Sequence, residues 1–302
     1  MARQKFFYTL FFILIIGARP SSAQITKIDA EDLVQLKQLE DSLVITADSM
    51  LNTGIPDDRI SYGVRFTKYL RAAMDIPESY NYPFDSLSKR IHVIYPDDKS
   101  FRIFNWMVAP TNTLRRYYGA IQQPDGKYFP LKDHSEALEA EAETAITSNE
   151  RWYGCEFYKI MAQNIQGQKS YLTYGFSANG PSSNKKILDV LTFTGNGVTF
   201  GAPIFMMPDN KGQRLMTKSR VILEYKKSAK VSLNYDDSKK MIMFNRLASE
   251  INDPNRKNTY APTGQTDGLR LENGQYIFVK DAIQILKLQD GQAPINGVMS
   301  GG

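Results

Sequence analysis

Cysteine is almost missing from this 302-residue chain: Cys155 is the only one. No intrachain disulfide can form, so stability has to come from buried surface. Histidine is nearly as scarce, with only His92 and His134. Two imidazoles and one thiol cannot complete a four-ligand Cys/His zinc site, although a carboxylate-based site stays open. No Asp-x-Asp-x-Asp-Gly calcium loop occurs. A large excess of one charge is lacking too. The chain carries 37 basic and 32 acidic residues, and Arg3, Lys5 and Arg19 all fall within the first 23. The remainder is close to neutral, which gives no reason to expect a nucleic-acid or anionic-membrane surface.

What is present first is a leader pattern. Arg3 and Lys5 precede an apolar run, Phe6 to Gly17, broken only by Tyr8 and Thr9, and Ser21-Ser22-Ala23 supplies small residues. This order of charge, apolar run and small residues predicts a signal peptide over 1–23 with cleavage before Gln24. The run is shorter than the about 20 residues a spanning helix needs, and no cysteine follows it to carry a lipid. The expectation is therefore an exported protein, periplasmic first and cell-surface or extracellular second. No integral span is expected after cleavage, because no later run is long and apolar enough.

Residues 24–85 read as a helical segment. Leu33, Leu36, Leu39, Leu43, Ala47 and Met50 recur at steps of three and four behind Asp29, a suitable N-cap, and Gly54 and Pro56 stop the pattern. A second helix, from about Asp57 to Met74, is predicted to bury Ile60, Val64, Leu70 and Met74. Residues 86–288 read as an antiparallel β domain. Its runs are Ile91–Tyr95, Phe101–Val108, Leu114–Gln122, Tyr153–Gln163, Ser170–Phe176, Lys186–Thr194, Val198–Met207, Arg220–Tyr225, Lys230–Tyr235, Met241–Leu247, Gly268–Leu271 and Gln275–Val279. Turn sequences such as Pro124-Asp125-Gly126, Pro208-Asp209-Asn210 and Glu272-Asn273-Gly274 separate several of them. One short helix is expected within Ser135–Thr147, and 289–302 reads as a polar tail. Both faces of Trp152–Met161 carry apolar residues, which a sheet wetted on one side would not show. The fold class is mainly β: an antiparallel meander forming a curved sheet, sandwich or incomplete barrel, with two N-terminal helices and one short inserted helix.

No motif specifies a reaction. Ser182 to Lys186 contains S-x-x-K twice, but within a strand rather than at the helix start that a serine nucleophile with a lysine needs. Ser86-Leu87-Ser88-Lys89 repeats the spacing elsewhere. Gly175 to Gly180 misses the G-x-S-x-G elbow by one residue. Cys155 sits in an aromatic strand, where a buried inert thiol is expected. His92 reads as a strand residue and His134 as a residue at a helix start. Glu136, Glu139, Glu141 and Glu143 do not converge on one point of a helix, and a solvated face is expected. Glu156, Asp189, Glu224 and Asp236, in or beside strands, are the candidates for a hydrolase assembled by folding. Trp106, Tyr117, Tyr118, Trp152 and Tyr153 are the candidate binding residues, as a stacking surface for a sugar or peptide. No residue is assigned a catalytic or metal-binding role, and no cofactor is implied.

Phe101-Arg102-Ile103-Phe104-Asn105-Trp106, Trp152-Tyr153-Gly154 and Ser183 to Phe193 resemble blocks of a family of exported Bacteroidota proteins of unknown function. Phe200 to Phe205, Arg220 to Tyr235, Asp267 to Leu271 and Gly274-Gln275-Tyr276 extend the resemblance in order over roughly 82–281. The chain departs from the pattern at Phe176 to Gly180, where a Trp-Asp-Gly-like turn is expected. The resemblance implies export and a single β region, and it brings no activity. The functional expectation is a non-enzymatic envelope protein, a binding or structural β-domain whose partner is an envelope protein or a glycan, with a carboxylate-dependent periplasmic hydrolase as the alternative.

Overall fold

The computed structural model describes residues 28–283 except 196, 210 and 211. The leader expected at 1–23, the tail expected at 289–302 and Asn210 of one expected turn lie outside the described residues.

Helix α1 spans Ala30–Asn52, and Asp29 caps it by accepting from the Glu31 N–H at 2.9 Å. Its stripe Leu36, Leu43, Ala47 and Met50 is buried. Helix α2, Pro56–Met74, opens with proline in its first turn and Asp57 and Asp58 at its positive end. Its buried face differs from the predicted one. Gly63, Phe66, Leu70, Ala73 and Met74 point inward, while Ile60 and Val64 are 45% and 54% exposed. Phe66 decides the rotation, because its ring packs edge-on against Trp106 with centroids 5.0 Å apart. Gly63 permits the close approach: a Cβ there would lie 3.0 Å from Val108 Cγ2.

Three sheets follow. The first contains β1 (His92–Ile94), β2 (Arg102–Val108), β3 (Arg116–Gln122) and β4 (Tyr128–Lys132) in that order, all antiparallel. After a short helix, α3 (Ser135–Leu138), the second sheet runs β5 (Thr147–Ser148), β9 (Gly197–Phe200), β8 (Ser183–Thr194), β7 (Gln168–Ser177), β6 (Glu156–Ile165). The third runs β11 (Leu215–Lys218), β10 (Phe205–Pro208), β16 (Gln275–Val279), β15 (Tyr260–Glu272), β14 (Met241–Ser249), β13 (Leu233–Asp236). Strand β12, Val221–Lys226, pairs with β8 alone. The fold is mainly β, with no closed barrel among the described residues.

Alternating side chains stack these layers. Along β2, Phe104, Trp106 and Val108 face the helices, whereas Ile103, and Phe101 just before the strand, face the second sheet. Along β8, Ile187 and Leu191 face the first sheet, while Leu188 and Val190 face the third. The order is helices, first sheet, second sheet, third sheet, and both inner sheets are covered on each face. That explains strands apolar on both sides. A buried leucine or phenylalanine contributes about 1.5–3 kcal/mol.

Buried polar groups tie the layers together. Arg102, wholly buried, donates to the Tyr82 carbonyl at 2.6 Å, to Ser79 O at 2.8 Å and to Gln122 Oε1, and its guanidinium lies 4.7 Å from the Phe104 ring centre. Residues 28–85 thus share their core with the strands after them. Asn105 spans the first two sheets, donating through Nδ2 to Tyr118 O at 2.9 Å and Cys155 O at 3.1 Å, and accepting at Oδ1 from the Phe157 N–H at 2.7 Å.

Several strand boundaries differ from expectation. Val198–Met207 is two strands, because Gly201 takes φ of 97° and the chain turns through Pro203. Strand β10 then pairs parallel with β16, the one parallel pair among the described strands. Strand β4 forms despite Pro130 because it is an edge strand, where a missing N–H costs little. Strand β15 continues back from Gly268 to Tyr260 through Pro262 and Gly264. The Asn273–Gly274 turn has both φ values positive, 48° and 78°, as a two-residue hairpin of this sequence requires.

Candidate functional site

A groove of about 550 Å³ opens between the second and third sheets. Its apolar lining comes from Ile222 and Leu223 of β12, Phe244 and Leu247 of β14, and Phe278 of β16. Charged residues surround this floor: Glu139, Glu143, Glu224 and Asp267, with Lys185, Arg246, Lys257 and Lys280.

Strand β12 brings more than side chains. The Lys227 N–H donates to Ser182 O at 3.0 Å, which fixes the antiparallel phase. Val221, Leu223 and Tyr225 therefore direct their backbone groups at β8, and Ile222, Glu224 and Lys226 direct theirs away from it. The Ile222 N–H meets Glu143 Oε1 at a long 3.4 Å, as this phase requires. The Ile222 carbonyl and the Glu224 N–H and carbonyl have no partner among the described residues. A strand edge without backbone partners among the described residues thus borders an apolar floor, with the turn Lys257–Thr259 close beside β12.

The acids of the groove are matched to cations. Lys185 Nζ lies 2.7 Å from Glu139 Oε1 and 3.9 Å from Glu224 Oε2, and donates to Tyr153 Oη at 3.0 Å. Burial works against its ammonium, but Tyr153, Glu139 and Glu224 outweigh it and hold the pKa above the usual lysine range. Burial pushes Tyr153 up to about 12 against the opposing Lys185 charge. Glu224 also accepts from the Ser183 hydroxyl at 2.5 Å. Glu143 pairs with Lys218 at 2.6 Å, and Asp267 with Arg246. Lys257 and Lys280 have no carboxylate partner among the described residues, Lys257 resting instead against Tyr260. The lining is balanced in charge, four acids against four bases, and Lys257 and Lys280 are the two bases left without a carboxylate partner among the described residues.

Of the four candidate carboxylates, only Glu224 lines this groove. Asp189 is buried against Arg220, which also donates to the Ala142 carbonyl. Burial pushes its carboxyl above the ordinary range, opposed by Arg220 and by the Val190 N–H. Glu156 is likewise pushed up by burial, with His92 and Arg115 opposing. Asp236 closes its own turn by accepting from the Ser238 and Lys239 N–H groups at 2.9 and 3.0 Å. Glu136, Glu139 and Glu141 around α3 are exposed, as expected of a solvated face, and Glu143 is half-buried; Glu141 also pairs with Arg151 at 3.0 Å, in addition to the Glu139 and Glu143 pairs. Cys155 is buried and its thiol is pushed well up, first by desolvation.

The five candidate aromatics do not share one surface. Tyr117 and Tyr118 are neighbours in β3 and so face opposite sides. Trp106 and Tyr118 stack on the helix side with centroids 5.9 Å apart. Tyr117, Trp152 and Tyr153 belong to the core between the first and second sheets. There the Tyr117 hydroxyl accepts from the Ala178 N–H at 2.7 Å, and Trp152 packs on Phe157 and Phe200. Spacing in sequence carried no signal for the β12 edge, since no residue type marks a strand left unpaired.

No helix among the described residues is long and apolar enough to cross a membrane. Compared with known proteins, the chain matches no family model, no curated protein and no solved structure.

Proposed function

We propose that this protein is an exported, non-enzymatic binding domain whose groove takes an extended, acidic polypeptide segment by strand addition to β12. The observation that carries this reading is the outward, unpartnered backbone of Ile222 and Glu224 over an apolar floor. Such an edge is completed by a strand that supplies the missing donors and acceptors, with alternate side chains setting specificity. From Ile222 to Lys226 the edge accommodates a segment of about four residues, at roughly 3.3 Å each. Lys257 and Lys280 favour acidic residues in that segment. A glycan is less suited, because the stacked pair Trp106 and Tyr118 lies away from the groove. A hydrolase reading is disfavoured by the pairing of each groove carboxylate with a cation, and by the position of Glu156 and Asp189 outside its lining. Export rests on the composition of residues 1–23.

The test uses a synthetic peptide of alternating valine and glutamate titrated into the isotope-labelled protein. The Ile222 and Glu224 amide signals shift and gain exchange protection. Glu224→Pro, which removes an N–H pointing away from β8, abolishes binding while the fold is retained, as edge positions tolerate proline. Glu224→Gln, which keeps the backbone donor, still binds. Peptide binding that survives Glu224→Pro, or that protects no β12 amide, rules the reading out.

A further inference from the structure

A second cleft, of about 290 Å³, lies on the helix side of the first sheet, two layers away from the groove. Ile60 and Val64 of α2 form one wall and Trp106, Val108, Pro110 and Tyr118 the other. Three observations single it out. Trp106 is only 4% exposed, yet its indole Nε1 has no hydrogen-bond partner, an arrangement that buried donors in folded proteins rarely show. Ile60 and Val64 leave large apolar side chains exposed at the same place, so the mouth of the cleft is apolar. Arg116, which lines the cleft, has no carboxylate partner among the described residues.

Strand register relates these groups. Val108 pairs with Arg116 and Trp106 with Tyr118. Arg116 is therefore the diagonal neighbour of Trp106 on the same face, a separation long side chains bridge. The cleft offers an aromatic stack, aliphatic walls and one unused cation, while the Trp106 N–H is closed off from solvent. Its volume is near the lower limit for small-molecule pockets, too small for a folded segment.

We propose that this cleft binds a small apolar or aromatic carboxylate, its body over the Trp106–Tyr118 stack and its carboxylate facing Arg116. The site is independent of the polypeptide groove, and either can fail without the other.

The test follows the indole N–H signals of the labelled protein during titration with 4-phenylbutyrate. The chain has two tryptophans, Trp106 and Trp152, so two signals are read, and Trp106→Phe assigns them. The Trp106 signal moves and saturates, while that of Trp152, in the core on the other face of the first sheet, stays. Arg116→Gln weakens the apparent affinity roughly tenfold or more, the loss expected for one charge-assisted bond. The neutral 4-phenylbutyramide is weaker by a similar factor. Val64→Asp, at an exposed position, removes binding without unfolding the protein. An amide that binds as well as the acid, an Arg116→Gln variant that binds normally, or equal movement of both indoles overturns the proposal. So does a Trp106 signal that shifts with protein concentration alone, because a second copy would then fill the cleft.

Discussion

Replacing Asn105 by alanine should cost more than any single aliphatic contact near it. Asn105 is fully buried and makes three hydrogen bonds that join β2 and β3 to the start of β6. The Phe157 N–H it receives belongs to a residue 1% exposed, and so does the Cys155 carbonyl it donates to. Strand β6 is irregular there, with a register shift between Phe157 and Lys159, so regular pairing does not replace the lost bonds. Stranding a buried donor costs about 1–3 kcal/mol, and each further lost bond about 0.5–1.5 kcal/mol. The expected loss is about 4 kcal/mol. At about 2–4 °C per kcal/mol for a domain of this size, Tm falls by roughly 8–16 °C. Urea unfolding followed by tryptophan fluorescence reads the change as a lower midpoint with an unchanged slope. Asn105→Asp separates the two halves of the side chain. Its carboxylate still accepts from Phe157 but faces two carbonyls, so the loss is as large at pH 7 and shrinks as the acid is protonated. A loss under about 1 kcal/mol for Asn105→Ala would refute the claim that this residue ties the sheets together.

Two other changes follow from close contacts and from burial. At Gly154 an added Cβ would overlap the Asp133 carboxylate, which accepts from Tyr117 N at 3.0 Å and Ser135 N at 2.9 Å. Gly154→Ala should therefore lower stability by about 1–3 kcal/mol, whereas Gly54→Ala, with open space around it, should not; equal calorimetric melting of the two would contradict this. Burial holds the Glu156 pKa above its unfolded value, so its ionised form opposes folding at neutral pH and the opposition fades as pH falls through the folded pKa towards roughly 4. Glu156→Gln should accordingly raise Tm at pH 7, with the gain vanishing near pH 4, and a gain that grows on acidification would reverse the assigned sign.

The legibility of this fold in its sequence varied with the range of the interaction concerned. Asp29, the α1 stripe and the stop at Gly54 act within a few residues of one another, and helix α1 appears within a residue or two of where they place it. The Asn273–Gly274 hairpin is equally local, because its positive φ values are a property of those two residues. Helix α2 was misread on its face, since Ile60 and Val64 are as apolar as Leu70. Only Phe66 meeting Trp106, some forty positions away, sets the rotation. Strand β4 was hidden by Pro130, whose tolerance depends on lying at a sheet edge. The candidate aromatics are scattered over different layers of the fold. Strand alternation sends Tyr117 and Tyr118 to different layers, and only the stacking of those layers determines which rings end near a cleft.

Composition and periodicity alone determined that the chain is mainly β with helices first, that no sulfur bridge can hold it, and that its strands have two apolar faces. These follow from backbone periods and from the need to bury apolar side chains. The tertiary structure alone decided that β12 ends with one edge unpaired over a groove, that the glutamates after α3 are neutralised by lysines and an arginine from other elements, and that Trp106 lacks an acceptor. Those are facts about what is missing beside a group. They are settled by which distant segment arrives next to it, and no spacing along one chain encodes an empty neighbouring position.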